Sequence, residues 1–387
     1  MYECCPVQLT EIESLEDLHN HIQIHGSLES VVVQGLDLLT NGGSIVRSVS
    51  TEDSCFLGCR MDDSIEQHIR ETGGTVFPAF TGIPFHPYRS SLYTPGELLD
   101  GYDPGQDAPL STTVDGRIYS YFRERRRTAR DVPVMDALAF RIHDHAIDDA
   151  LRQLLNPEDG PSRRVVGIMG GHQVRRDSEL YADVAHLGWR LSRNGFFVAT
   201  GGGPGAMEAA NLGASLASYD ESTLDTSIQH LEQAPHFEDD GYIDAAMNVR
   251  REFPDRTESL AVPTWFYGHE PSNLFSTHIA KYFANSIRED GLLAISTCGV
   301  VFAPGSAGTI QEVFMDAAQN HYETFGPASP MVFFDRTYWT ETKPVFPLLR
   351  QLAADAPHAD HLTATDDVDG IVETLERYAA ARFTPAD

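Results

Sequence analysis

Three short apolar runs in this chain each end in a glycine-rich turn and lead into a segment with helical spacing. This succession limits the fold more than any other feature. Residues 164–169 (RVVGIM) precede Gly170-Gly171-His172, residues 196–200 (FFVAT) precede Gly201-Gly202-Gly203-Pro204-Gly205, and residues 299–303 (GVVFA) precede Pro304-Gly305-Ser306-Ala307-Gly308-Thr309. Continuous apolar runs of this length are the pattern of strands buried on both faces. Further strand-like runs lie at 259–266 and 331–334, and helical spacing recurs at 178–193, 204–217, 273–296 and 309–322. Alternation of this kind predicts a doubly wound α/β fold with a parallel sheet. A break is expected in the long segment 273–296 near Gly291. Residues 219–258 are polar and irregular and read as a lid or surface insertion, and the tail from Pro344 adds helices and one more strand.

Upstream, residues 1–115 read as a separate small α/β unit. Residues 29–36 (ESVVVQGL), 54–59 and 75–80 have strand character, and 64–72 form a helix stopped by Gly73-Gly74. Residues 82–106 carry Pro84, Pro87, Pro95 and Pro104 and read as loop or boundary. Leu138, Ile142, Ile147, Leu151 and Leu155 recur at helical spacing, predicting a helix at 131–155 that packs against the following domain. The expected division is an N-terminal unit at 1–115, a helical connector at 116–160, and an α/β domain at 161–387, with a linker (NPEDGPSR) at 156–163.

Charge narrows the partners. A net charge of −29 and a pI near 4.8 repel a polynucleotide backbone, so no nucleic acid polymer is expected as a partner. A small phosphate remains compatible, because backbone N–H groups and one or two arginines act on it locally. The cysteines Cys4, Cys5, Cys55, Cys59 and Cys298 form no C-x-x-C pair and are odd in number, which argues against a disulfide framework and a structural metal. The N-terminus has no basic stretch followed by an apolar one, and no run approaches the roughly 18 apolar residues of a membrane span. A cytoplasmic protein with reduced thiols and no membrane contact is expected.

In an open parallel sheet, turns that follow strands gather at the carboxyl edge, where such folds bind ligands. Glycine allows close approach to a phosphate, and the helix behind each turn offers free N–H groups and the positive end of its dipole. Thr309 can cap its helix or donate its hydroxyl to a phosphate oxygen. Neither G-x-G-x-x-G nor G-x-x-x-x-G-K-[ST] occurs, so P-loop NTP hydrolysis is not expected. Glu312 lies one turn inside the third helix. Its spacing leaves two readings open: an acid meeting the helix dipole, or a carboxylate aimed at a sugar beside the phosphate, where it would stabilise the positive state of glycosidic cleavage. Glu208 stands in the same relation to the second turn and, with Gly170, Gly171 and Met207, is expected to line the substrate pocket. On spacing alone Arg288 is a surface charge and His172 faces solvent, while His269 and Glu270 either line the pocket rim or cap the long helix.

Residues 304–312 (PGSAGTIQE) resemble the P-G-G-x-G-T-x-x-E motif of the LOG family, long misannotated as lysine decarboxylases. Residues 201–209 (GGGPGAMEA) are similar to that family's other glycine-rich motif, and their PGAMEA part looks most like the larger bacterial nucleotide 5′-monophosphate nucleosidases. The resemblance covers about 160–340, under half of the chain, and none is found for 1–115. It implies a Rossmann-like domain and a phosphoribohydrolase, which cleaves the N-glycosidic bond of a nucleoside monophosphate such as AMP and releases free base and ribose 5-phosphate. It further implies that Gly305, Ser306, Gly308 and Thr309 hold the phosphate, with Gly202, Gly203 and Gly205 beside them. Glu312 would be the catalytic acid and Arg288 the arginine on the preceding helix. No metal or organic cofactor is implied, and the assembly would be a homo-oligomer. Two departures stand out: Ser306 replaces the second glycine, and Arg288 lies 16 residues before Pro304, one further than in the family.

A pyridoxal-phosphate decarboxylase needs a Schiff-base lysine. Of the two lysines, Lys281 reads as part of the long helix and Lys343 as part of a Thr-Lys-Pro turn, neither at a phosphate cup. The alternative from another class is a nucleotide-binding sensor or carrier of the same fold. A third reading, compatible with the enzyme, makes the N-terminal unit a regulatory or oligomerisation domain on an active core.

Overall fold

A computed structural model describes residues 10–77, 80–104, 110–126, 132–157, 160–268, 270–354 and 356–383, with backbone only at 40 and 41. The chain divides into two compact units, one of Met1–Ser91 with Arg125–Arg152 and the other of Leu92–Glu124 with Gln153–Asp387.

The first unit runs β1 (Thr10–Ile12), α1 (Leu15–His25), β2 (Val31–Gln34), α2 (Gly43–Val46), β3 (Cys55–Leu57), α3 (Asp63–Glu71) and β4 (Thr75–Phe77). Its strands pair in parallel in the order β1-β2-β3-β4. Alternate residues Val31 and Val33 of β2, with Phe56 of β3, are buried against Leu18 of α1 and Ile65 and Ile69 of α3. Ser14 starts α1 by accepting from the Asp17 N–H, and Asp62 does the same for α3. The strands are shorter than the sequence suggests, and residues 78–79 of the expected strand 75–80 lie outside the described residues.

Residues 92–124 and 125–152 fall in different units. Of α4 (Pro95–Leu98), α5 (Val114–Arg126) and α6 (Val134–Leu155), α4 and nearly all of α5 group with the second unit, and α6 as far as Arg152 groups with the first.

The second unit continues with β5 (Val165–Met169), α7 (Glu179–Arg193), β6 (Phe197–Thr200), α8 (Ala206–Ser215), α9 (Glu221–Leu231), α10 (Tyr242–Glu252), β7 (Leu260–Ala261) and β8 (His278–Ile279). It ends with α11 (Asn285–Ile295), β9 (Val300–Phe302), α12 (Ala307–Tyr322), β10 (Met331–Phe334), α13 (Val345–Leu352), β11 (Leu362–Thr365) and α14 (Val368–Phe383). All seven strands are parallel, in the order β11-β10-β9-β5-β6-β7-β8. This is the doubly wound, Rossmann-like sheet expected from the apolar runs. The chain lays β5 to β8 outward in one direction and then returns to place β9 on the other side of β5. That reversal opens a crevice at the carboxyl ends of β5 and β9, the usual ligand position in such sheets. Val166, Ile168, Val198, Val301 and Val332 are buried, as strands covered on both faces require.

Two expectations for this unit are corrected. Residues 219–258 are not an irregular insertion but carry α9 and α10. Leu224, Ile228 and Leu231 recur at helical spacing and are buried, and Asp220 caps α9 through the Thr223 N–H. The long helix at 273–296 is confined to α11, and Gly291 lies inside it without a break. Upstream, polar side chains offer the backbone other partners: Ser276 Oγ donates to Asn273 O, and Thr277 Oγ1 to Ser259 O at 2.9 Å. Such bonds compete with helix formation. They leave β8 as a short edge strand that Tyr93 flanks through paired backbone bonds to Ile279.

Candidate functional site

A cleft of about 430 Å³ opens at the carboxyl edge of the second sheet. It is lined by the turns after β5, β6 and β9, by residues between β7 and β8, and by the facing sides of α11 and α12. Backbone bonds tie the turns together. The Gly171 N–H donates to Pro304 O at 3.0 Å, and the Ala206 N–H donates to Gly171 O at 3.1 Å. Gly205 makes that junction possible, with φ of +72° and a position where a Cβ would stand 2.5 Å from Gly171 O. At Gly201 a Cβ would collide with the Arg288 guanidinium, so this glycine leaves the space that the arginine fills.

The third turn leads into α12, whose N-cap Ser306 makes no side-chain capping bond. The first intrahelical donor recorded at this end is Ile310, to Ser306 O. Ala307, Gly308 and Thr309 therefore present N–H groups without intrahelical acceptors at the positive end of a 16-residue helix. The side chains of Ser306 and Thr309 line the cleft beside them.

Glu312 follows one turn inside α12, within the cleft and 9% exposed. Arg288 of α11 approaches it, Nη1 to Oε1 at 3.5 Å. The arginine is anchored by donating through Nε to Val262 O at 2.8 Å and through Nη2 to Gly201 O at 3.2 Å. Burial pushes the Glu312 carboxyl above its ordinary range, Arg288 pulls it back, and Glu289 pushes it further up. Arg288 is thus a buried cleft residue, not the surface charge its isolated spacing suggests.

The structure places Gly170, Gly171, Gly202, Gly203, Met207, Arg288, Ser306, Gly308, Thr309 and Glu312 on the cleft wall, along with His172 and Glu270. His269 lies outside the described residues. Gly205 and Gly305 stand behind the wall. Gly205 serves the junction of turns, and the Gly305 carbonyl accepts from the Tyr338 hydroxyl and, at 3.1 Å, from Lys343 Nζ.

Glu208 does not line the pocket. It is buried and accepts from Arg176 Nε at 2.9 Å and Nη2 at 2.6 Å, from the Tyr181 hydroxyl at 3.0 Å and from the Tyr242 hydroxyl at 2.8 Å. Both carboxylate oxygens are engaged by groups on α7, α10 and the turn after β5. The correction follows from Arg176, which is distant in sequence and 1% exposed itself.

Two charged cleft residues escaped the sequence reading. Glu289, next to Arg288, is held by the Tyr267 hydroxyl at 3.2 Å and by Gln311 Nε2 at 2.8 Å. Lys281 also lines the cleft, while Lys343 braces the third turn, so both lysines bear on the site, contrary to the expectation. The Lys281 amine is held in an ion pair with Asp115 at 2.7 Å. Among the described residues, no group of three or more His, Cys, Asp or Glu could hold a metal ion, and no helix is long and apolar enough to cross a membrane. Cys55, Cys59 and Cys298 are free thiols, and Cys4 and Cys5 lie outside the described residues.

No protein-family model matches the chain, and no curated protein matches it in sequence. Among solved structures, it is similar to the molybdenum cofactor carrier protein of Chlamydomonas reinhardtii (15% identity, TM-score 0.36, covering 56% of this chain and 99% of that one). It is also similar to the molybdenum cofactor binding protein of Rippkaea orientalis (14% identity, TM-score 0.35, covering 56% and 98%).

Proposed function

We propose that the cleft binds a nucleoside 5′-monophosphate by its phosphate and hydrolyses the N-glycosidic bond. One observation carries this reading: an uncapped helix start and a buried carboxylate paired with an arginine stand one turn apart on α12, inside one cleft. The N–H groups of residues 307–309 and the Ser306 and Thr309 hydroxyls would receive the phosphate. A helical turn rises about 5.4 Å, which brings the attached sugar to the level of Glu312. As the bond to the base breaks, positive charge grows on the sugar, and the Glu312 carboxylate would stabilise it. Arg288 favours the ionised form of Glu312 against the effect of burial. Water adds hydroxide to the anomeric carbon and its proton to the departing base, which yields ribose 5-phosphate and free base. LOG-like motif residues coincide with this arrangement at Gly308, Thr309 and Glu312.

A second reading is a carrier or sensor that holds its ligand without turnover. Its support is that every group placed for the phosphate works independently of Glu312, and that two neighbours are named for carrying or binding a molybdenum cofactor. Chromatography of AMP, GMP, CMP, UMP and IMP reactions, with the matching nucleosides as controls, separates the two. Base released from a monophosphate but not from its nucleoside is the expected result. Monophosphate binding with no base released would replace the hydrolase by the carrier.

A further inference from the structure

We infer that Asp115, Lys281 and Ser272 form a second subsite of the cleft, in which Lys281 donates a hydrogen bond to an uncharged acceptor on the ligand's nucleobase. This rests on the nucleotide reading above.

Lys281 is 3% exposed and yet lines the cleft. Its Nζ meets hydrogen-bond geometry at Asp115 Oδ2, 2.9 Å away, and at Ser272 Oγ, 3.0 Å away. An ammonium has three N–H donors, so one is left without an acceptor among the described residues. Asp115 is fully engaged. Besides Lys281 it accepts from Trp265 Nε1 at 2.7 Å and from Ser272 Oγ at 2.9 Å. The Trp265 ring closes another side, its centroid 5.2 Å from Nζ.

A buried ion pair of this kind is a poor device for stability, since apolar residues of similar volume serve as well or better. What it supplies is a donor held in a fixed position on the cleft wall, on the side formed by residues 263–272. The ligand class follows from charge. Asp115 already neutralises the ammonium, so a phosphate would gain little there, whereas a carbonyl oxygen or ring nitrogen can take the spare N–H.

Position agrees with that class. Lys281 follows β8 at one edge of the sheet order, while α12 follows β9 beyond β5. Arg288 and the second glycine turn lie between, and the Asn273 N–H beside Ser272 donates to Gly202 O at 3.3 Å. A nucleotide anchored by its phosphate at α12, with its sugar at Glu312, extends its base toward Lys281. Asp115 is a positioning residue on α5, reached only because residues 92–124 fold with this unit.

The test is calorimetric titration of the full chain with AMP, IMP and ribose 5-phosphate, in a Glu312→Gln background so that ligand is not consumed. Lys281→Met is compared with the double variant Asp115→Asn/Lys281→Met. The double variant leaves no unpaired buried charge and keeps an acceptor for Trp265. The expected result is at least a tenfold loss of affinity for a nucleotide in both variants, with ribose 5-phosphate affinity unchanged within twofold. Equal losses for nucleotide and ribose 5-phosphate, or no loss for either, would overturn the subsite while leaving the nucleotide reading in place. Failure of the background protein to bind any nucleotide would overturn both.

Discussion

Replacing Glu312 by glutamine removes one charge and almost no volume, so its consequences can be worked from the geometry. Arg288 keeps its bonds to Val262 O and Gly201 O and is not stranded by the change. Because burial raises the Glu312 carboxyl above its ordinary range, a neutral amide at this place should leave stability within about 1 kcal/mol of the wild type. Catalysis should respond differently. Loss of one preorganised electrostatic group facing developing charge costs about 10²–10³ in rate, or about 3–4 kcal/mol of barrier. Phosphate binding at the start of α12 should persist or strengthen, because a negative charge one turn away is gone. The assay is single-turnover base release from the preferred monophosphate, with thermal melts and ligand titration on the same preparation. The pH profile adds a sign. Glu312 must be ionised, so the acid limb of kcat/KM should lie above the ordinary carboxylate value and disappear in the variant. Base release within threefold of wild type in the folded variant would refute the role of Glu312.

Three further outcomes follow from buried groups elsewhere in the second unit. Arg176→Met leaves Glu208 buried with only tyrosine donors and should cost about 3 kcal/mol in denaturant unfolding, with monophosphate affinity of the folded protein unchanged; a cost under 1 kcal/mol would show the pair to be dispensable. Gly205→Ala forces a side chain onto Gly171 O at φ of +72° and should weaken monophosphate binding at least tenfold, so unchanged titration would count against the joined turns. Asp316 is buried, with an Oδ2 that has no hydrogen-bond partner, and burial raises its carboxyl to about 8. A raised folded-state value means that its contribution is full below the unfolded value and is lost as pH rises through 8. Asp316→Asn should therefore raise stability at pH 8 by up to about 5 kcal/mol and flatten its decline between pH 4 and 8, and an unaltered pH dependence of melting would contradict this.

The doubly wound sheet was legible because each buried strand writes itself as a continuous apolar run, and the turns because only glycine tolerates their close approaches. Glu312 could be picked out for its place one turn inside a helix start. Glu208 occupies the same local position, and nothing nearby in sequence shows that Arg176, Tyr181 and Tyr242 converge on it. Lys281 and Glu289 were missed for a related reason. The segment before α11 has apolar spacing suited to a helix, but Asn273, Ser276 and Thr277 bond to backbone and to side chains of other elements, and the resulting extended path brings Lys281 to the cleft. The membership of residues 92–124 in the second unit depends on Asp115 meeting Lys281 and Trp265, and on Tyr93 pairing with Ile279. Such partners lie more than 140 positions apart in the chain.

The most direct single measurement is phosphorus NMR of the purified chain mixed with each of the five monophosphates. The account predicts that one or more nucleotide resonances broaden on binding and give way with time to that of ribose 5-phosphate, with Glu312→Gln showing the broadening alone. Broadening that never gives way in the wild type would contradict hydrolysis and leave a binding protein, and sharp, unshifted resonances throughout would contradict the phosphate site itself.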